Sequence, residues 1–160
     1  RAIERVRRRA PDVRFEVDVS SWVVNGDASA LERAVTNLLD NAVKWSPSGG
    51  RVFVRLARGK LQVADEGPGI ADADLPHVFD RFYRSTDARA MPGSGLGLAI
   101  VKRAATSHAG SVSAGRSGTG GALMVLTLPG RPTVESSSFG GTAISKGPAI
   151  SQHDAGASAT

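Results

Sequence analysis

The chain has 160 residues, 41% hydrophobic and 22% charged, and its 20 Lys+Arg against 15 Asp+Glu give a formal net charge of +5. That is one globular domain with some excess length, and it excludes wholesale disorder; the chain is long enough to bury a core without disulfides. There is no cysteine, which removes disulfides, thiol catalysis and cysteine-ligated zinc.

No run approaches the roughly 20 apolar residues of a membrane span. The first nine residues, RAIERVRRR, carry no apolar signal-peptide core and no initiator Met, so the sequence reads as a fragment or processed chain that is soluble as it stands. Arg5, Arg7, Arg8 and Arg9 fall on a short helix ending before Pro11. Without interleaved aromatics they read as a solvated helix face rather than a surface for nucleic acid or membrane. Val13, Phe15, Val17 and Val19 alternate with polar residues as in a half-buried strand, which Trp22-Val23-Val24 extends or pairs with before the Asn25-Gly26 turn. Asp27 is placed to cap a helix, and Leu31, Ala34, Val35, Leu38, Leu39 and Ala42 give the apolar stripe of an amphipathic helix to about Trp45.

Val52, Val54 and Leu56 alternate, Arg58-Gly59-Lys60 turns, and Leu61 to Ala64 forms the second arm of a hairpin. After the turn-rich Asp65–Gly69 stretch, a short helix is expected around Leu75 to Phe82, then an aperiodic polar stretch from Arg84 to Pro92. Helical spacing resumes from Gly97 to about Ser107, and Ser111–Ala114 and Ala122–Leu128 read as two last strands. Paired strands with helices to one side predict an α+β fold: a two-layer α/β sandwich whose mixed, largely antiparallel sheet carries its helices on one face, with no alternating βαβ pattern. Residues 1–129 form the domain. From 130 to 160 the Ser, Gly, Ala, Thr and Pro composition has too little apolar surface to offset ordering entropy, so a disordered tail is expected.

Asn37, Asn41, Lys44 and Trp45 share a sector roughly 100° wide on the second helix. Amide oxygens are hard ligands suited to magnesium, which takes few protein groups and leaves positions for phosphate and water. Three glycine clusters follow: Asp65-Glu66-Gly67-Pro68-Gly69, Gly93-Ser94-Gly95-Leu96-Gly97-Leu98 opening onto a helix, and Gly118-Thr119-Gly120-Gly121. Backbone N–H groups at a helix start suit an anion. A Walker loop, a dinucleotide fingerprint and the protein-kinase motif set are all absent. His77, His108 and His153 form no metal pair and no triad.

The ordered set Asn37–Ser46, Asp65-x-Gly67-x-Gly69-Ile70, Phe79-Asp80-Arg81-Phe82-Tyr83-Arg84 and Gly93–Leu98 resembles the ATP-binding catalytic domain of bacterial two-component sensor histidine kinases, within the superfamily of DNA gyrase, the ninety-kilodalton heat-shock chaperones and MutL-type ATPases. The resemblance covers about residues 1–129 and implies ATP and Mg2+ as ligands. By it, Asn41 is the magnesium ligand, Asn37 supports the phosphate region, Lys44 reaches toward the phosphates and Trp45 lies against the adenine. Asp65 accepts from the adenine amino group, with Gly67, Gly69 and Ile70 beside it. Arg84, or else Arg81, meets the terminal phosphate, and Gly93, Ser94, Gly95, Leu96, Gly97 and Leu98 hold the triphosphate. The stretch from Arg84 to Pro92 becomes a lid.

Two departures stand out. Gly121-Ala122-Leu123-Met124 lacks the hydroxyl that usually follows the glycine, and no histidine sits in a phosphoacceptor context. The resemblance therefore implies a kinase half that phosphorylates a histidine on a separate dimerisation domain and serves a downstream response regulator. It also implies a cytoplasmic domain whose full-length protein is anchored in the cell membrane, with no nucleic acid or membrane contact by this portion. An ATP hydrolase with a gyrase-like cycle would need a Glu one turn before Asn41 to activate water. This chain has Asn37 there. A nucleotide-binding module without chemistry is the third reading.

Overall fold

The computed structural model describes residues 1–85 and 93–133. Most of the expected lid (86–92) and of the expected tail (134–160) lies outside the described residues.

Among the described residues the elements are α1 (Ala2–Arg9), β1 (Arg14–Val19), α2 (Ala28–Trp45), β2 (Arg51–Ala57), β3 (Lys60–Asp65), a single 3-10 turn at Leu75–His77, α3 (Gly97–Ser107), β4 (Ser111–Arg116) and β5 (Ala122–Thr127). The five strands form one sheet in the order β1-β2-β3-β5-β4. All pairings are antiparallel except β1 with β2, which run parallel from Arg14↔Arg51 to Val19↔Leu56. The largely antiparallel α+β sandwich is as expected. The sheet is mixed, also as expected, through the βαβ unit β1-α2-β2: parallel neighbours need a crossover long enough to return the chain, and α2 provides it.

Helix α2 forms where its stripe predicts. Asp27 accepts the N–H groups of Ser29 at 2.9 Å and Ala30 at 3.1 Å, satisfying two of the first-turn donors. Ala34, Leu38, Leu39 and Ala42 are buried against Val52 and Val54 of β2, Val63 of β3, Met124 and Leu126 of β5 and Val101 of α3. Burying each Leu side chain stabilises the fold by about 2 kcal/mol. Between β2 and β3 the two-residue turn Arg58-Gly59 has φ of 51° and 77°, the left-handed pair whose twist matches a hairpin.

Two other local expectations are corrected. Trp22-Val23-Val24 neither extends β1 nor pairs with it: Val23 bridges Arg131, and Trp22 Nε1 donates to the Leu128 carbonyl at 3.0 Å. The helix expected from Leu75 to Phe82 is only the 3-10 turn. Pro76, in the first turn, is compatible with a helix start, but Phe82 takes a left-handed φ of 64° that no helix can include.

Candidate functional site

A cleft of about 330 Å³ opens along one face of α2, between the loop after β3 and the start of α3. Asn37, Asn41, Lys44 and Trp45 project into it from successive turns of α2, so the polar sector read from helical spacing is realised. Asp65, at the end of β3, closes one end. It is 2% exposed, and its Oδ1 accepts the N–H of Gly67 at 2.9 Å and of Ala122 at 3.1 Å. Among the described residues no donor reaches Oδ2, which leaves that oxygen as an acceptor in the cleft wall. Burial pushes the Asp65 carboxyl above the usual range, and the two main-chain donors oppose this only in part.

Gly67 is fixed by the chain itself. A Cβ there would lie 2.4 Å from the Trp45 carbonyl oxygen, so the β3 loop closes on α2 only with glycine. The hydroxyl missing after Gly121 has a partial counterpart: Thr119 Oγ1 donates to the Asp65 carbonyl at 3.3 Å, on the main chain rather than toward the cleft.

The other end of the cleft is cationic. The space that a Cβ on Gly93 would take lies 3.3 Å from Lys44 Nζ and 4.0 Å from Arg84 Nη2. Partial burial first, and the Arg84 guanidinium second, push the Lys44 ammonium below its ordinary range. Two cations held this close favour an anion between them. The first N–H groups of α3 open beside them, and its N-cap Leu96 supplies no side-chain acceptor. Asn37 Nδ2 is buried with no hydrogen-bond partner among the described residues. An unpartnered buried donor is rare and destabilising by about 1–3 kcal/mol, so it marks a place where an acceptor belongs.

Gly69, Ile70, Ser94, Gly95, Gly97 and Leu98 also line the cleft. Gly67, Leu96 and Arg81 are not among the lining residues, and Arg81 is exposed with its guanidinium 5.5 Å from the Phe82 ring. Gly95 has φ of 74°, and a Cβ there would strike the Phe82 main chain at 2.8 Å, so the glycine segment seats directly on the turn that carries Arg84. Asp40, Asp74 and Tyr83 also lie in the wall and were not singled out from the sequence. Asp40 was within reach of the same argument, one turn beyond Asn37 in helical spacing. It pairs with Arg9 of α1, Nη2 lying 2.9 Å from Oδ1. Asp74 and Tyr83 carry no local signal, since the contact that joins them depends on a loop conformation.

Among the described residues no cluster of three His, Cys, Asp or Glu side chains could hold a metal alone. The donor set instead fits a hard cation that shares its shell with phosphate, for which one amide oxygen suffices.

This sheet, with an amide-and-lysine helix face on one side of the cleft and a glycine-opened helix on the other, defines a nucleotide-binding ATPase domain. Residues 26–132 match the family described as histidine kinase-, DNA gyrase B-, and HSP90-like ATPase, and the chain belongs to that family. It is 52% identical over 145 residues to the signal transduction histidine-protein kinase/phosphatase MprB of Mycobacterium ulcerans (strain Agy99), a match covering 85% of this chain and 28% of that protein. Among solved structures, a mycobacterial sensor histidine kinase MprB matches with a TM-score of 0.78 and 50% identity, over 82% of this chain and 93% of that one. Full-length ShkA in complex with AMPPNP matches with a TM-score of 0.68 and 30% identity, over 82% of this chain and 29% of that one. Among the described residues no helix is long and apolar enough to cross a membrane.

Proposed function

We propose that this domain binds Mg-ATP and donates the γ-phosphoryl group to a histidine on a separate dimerisation and phosphoacceptor domain of the same kinase, which then serves a response regulator. The observation that carries the reading is the buried Asn37 Nδ2, without a hydrogen-bond partner among the described residues, in the wall of a cleft also lined by Lys44, Arg84 and the open end of α3. Those groups are matched to a chain of phosphates. Asp65 Oδ2, at the opposite end, accepts from the adenine amino group, and Trp45 offers a flat face to the base.

Magnesium, when bound, would take Asn41 as its protein ligand and neutralise charge on the phosphate oxygens. The residues of the chain do the rest. Asn37 donates to a phosphate oxygen, and Lys44 and Arg84 hold the terminal phosphoryl in place. The acceptor imidazole nitrogen bonds to the γ-phosphorus as the bond to the bridging oxygen breaks, and ADP leaves. Such transfer is mainly positioning and charge stabilisation, so the domain needs no nucleophile of its own. Nor can it readily activate water, because Asn37 stands where a proton-accepting Glu would be needed and an amide takes no proton. The MprB relatives are named as signal transduction histidine-protein kinases/phosphatases, and the anchoring of the full-length protein in the cell membrane, with this domain in the cytoplasm, is part of the same proposal.

The test uses labelled ATP. Alone, the chain is expected to hydrolyse it slowly and acquire no phosphohistidine; mixed with a helical dimer bearing the matching histidine, it labels that dimer, and Asn41→Ala abolishes the transfer. Rapid phosphate release with no labelled protein would replace this reading with the hydrolase one.

A further inference from the structure

Around the 3-10 turn and the residues before Arg84 runs a series of side-chain contacts. Tyr83 Oη donates to Asp74 Oδ1, and both residues line the cleft. The Tyr83 ring lies 5.2 Å from the His77 ring, and His77 Nδ1 is 3.1 Å from Asp80 Oδ2. The main chain is held as well: Tyr83 N–H donates to the Asp80 carbonyl at 3.3 Å, and Phe82 N–H to the Gly95 carbonyl at 2.9 Å.

These contacts surround a strained residue. Phe82 sits at φ 64°, a conformation a bulky side chain adopts only under constraint, yet its own side chain is 66% exposed and cannot supply that constraint. The constraint comes from its neighbours, the Gly95 carbonyl on one side and the Tyr83 anchor on the other. Arg84 is the next residue, and its guanidinium reaches the cationic end of the cleft beside Lys44. The direction in which the chain leaves Tyr83 therefore sets where that guanidinium can go.

We propose that Tyr83 and Asp74 are positioning residues: their hydrogen bond aims Arg84 at the terminal phosphate and so sets how strongly the domain distinguishes a nucleoside triphosphate from a diphosphate. This rests on the Mg-ATP reading of the cleft. Without the hydroxyl, the Phe82 turn loses this restraint and Arg84 is aimed less narrowly at the terminal phosphate. Contacts to the base and to the first two phosphates do not pass through this turn and stay as they are.

The experiment measures the affinities of Mg-ATP and Mg-ADP for the 160-residue chain by calorimetry, with the melting temperature recorded for each variant. Tyr83→Phe is expected to lower the ATP-over-ADP preference about three- to tenfold, the range one hydrogen bond spans, with ADP affinity held within about twofold. Asp74→Ala gives the same loss, Asp74→Asn keeps an accepting oxygen and most of the preference, and Tyr83→Phe with Asp74→Ala loses no more than either alone. A wild-type preference in Tyr83→Phe, or equal weakening of ATP and ADP, overturns the proposal. So does an Asp74→Asn variant as impaired as Asp74→Ala. If the unmodified chain binds neither nucleotide, the Mg-ATP reading itself falls, an outcome separate from these.

Discussion

Asp65 shows a functional group held at the expense of the fold. Burial raises its pKa, so the native state holds its proton more tightly than the unfolded chain does. The native state then binds more protons than the unfolded one between the two pKa values, and stability falls as pH rises through that window. Above it the carboxylate is buried and charged, with only Oδ1 compensated. Asp65→Asn keeps the accepting oxygen without the charge. It is expected to melt no lower than the parent at pH 7, and the gap between the two should close on acidification toward about pH 4. ATP-over-GTP preference should fall about tenfold or more in the same variant, as expected for a charge-assisted hydrogen bond. A variant that melts well below the parent at pH 7 and keeps its preference for ATP would show that Asp65 serves the fold instead. At this scale most of the cleft was legible, because helical spacing alone put Asn37, Asn41, Lys44 and Trp45 on one face. Asp74 and Tyr83 were not, since their meeting depends on a left-handed Phe82 that no residue-type preference announces.

The elements that carry the cleft are tied at their far ends by one side chain. His108, just past α3, has Nδ1 2.6 Å from the Ala104 carbonyl and accepts the Asp27 N–H on Nε2 at 3.0 Å. This contact fixes the tautomer: the proton sits on Nδ1. The ring lies so close to the chain at Gly26 that a Cβ there would fall 2.1 Å from it, so glycine admits the histidine between α2 and α3. His108→Ala and Asp27→Ala should each destabilise the domain by about 1 kcal/mol, a few degrees in melting temperature. His108 accepts the Asp27 main-chain N–H, which Asp27→Ala retains, while the Asp27 carboxylate caps Ser29 and Ala30, so the two losses should be close to additive in the double variant. A His108→Ala variant that melts with the parent in thermal unfolding would mean that the contact does not couple the helices. Sequence periodicity found both helices and the β2–β3 hairpin because each is specified by neighbours along the chain. It assigned Trp22–Val24 wrongly because the partner of Val23 is Arg131, and nothing local records so distant a pairing.

Across the whole molecule, β3 is flanked by β2 and β5, while β1 is an edge strand that joins the sheet through β2 alone. Val17 and Val19 on β1 remain 39% and 55% exposed. Native-state hydrogen exchange should therefore rank β1 amides well below those of β3 in opening free energy, and equal protection in the two strands would refute the ranking. The strand pattern predicted the two-layer architecture but not the direction of β1, since a strand's alternation looks the same whichever way its neighbour runs. That direction matters while the protein is being made. The ribosome delivers β1 first, and β2, which alone gives it a register, emerges only after all of α2. At about 5–20 residues per second the nascent strand waits on the order of seconds. Arg14, Glu16 and Asp18, alternating along it, keep one side wetted through that interval, and the ion pairs of Arg51 with Glu16 and Arg55 with Asp18 then close over the finished seam.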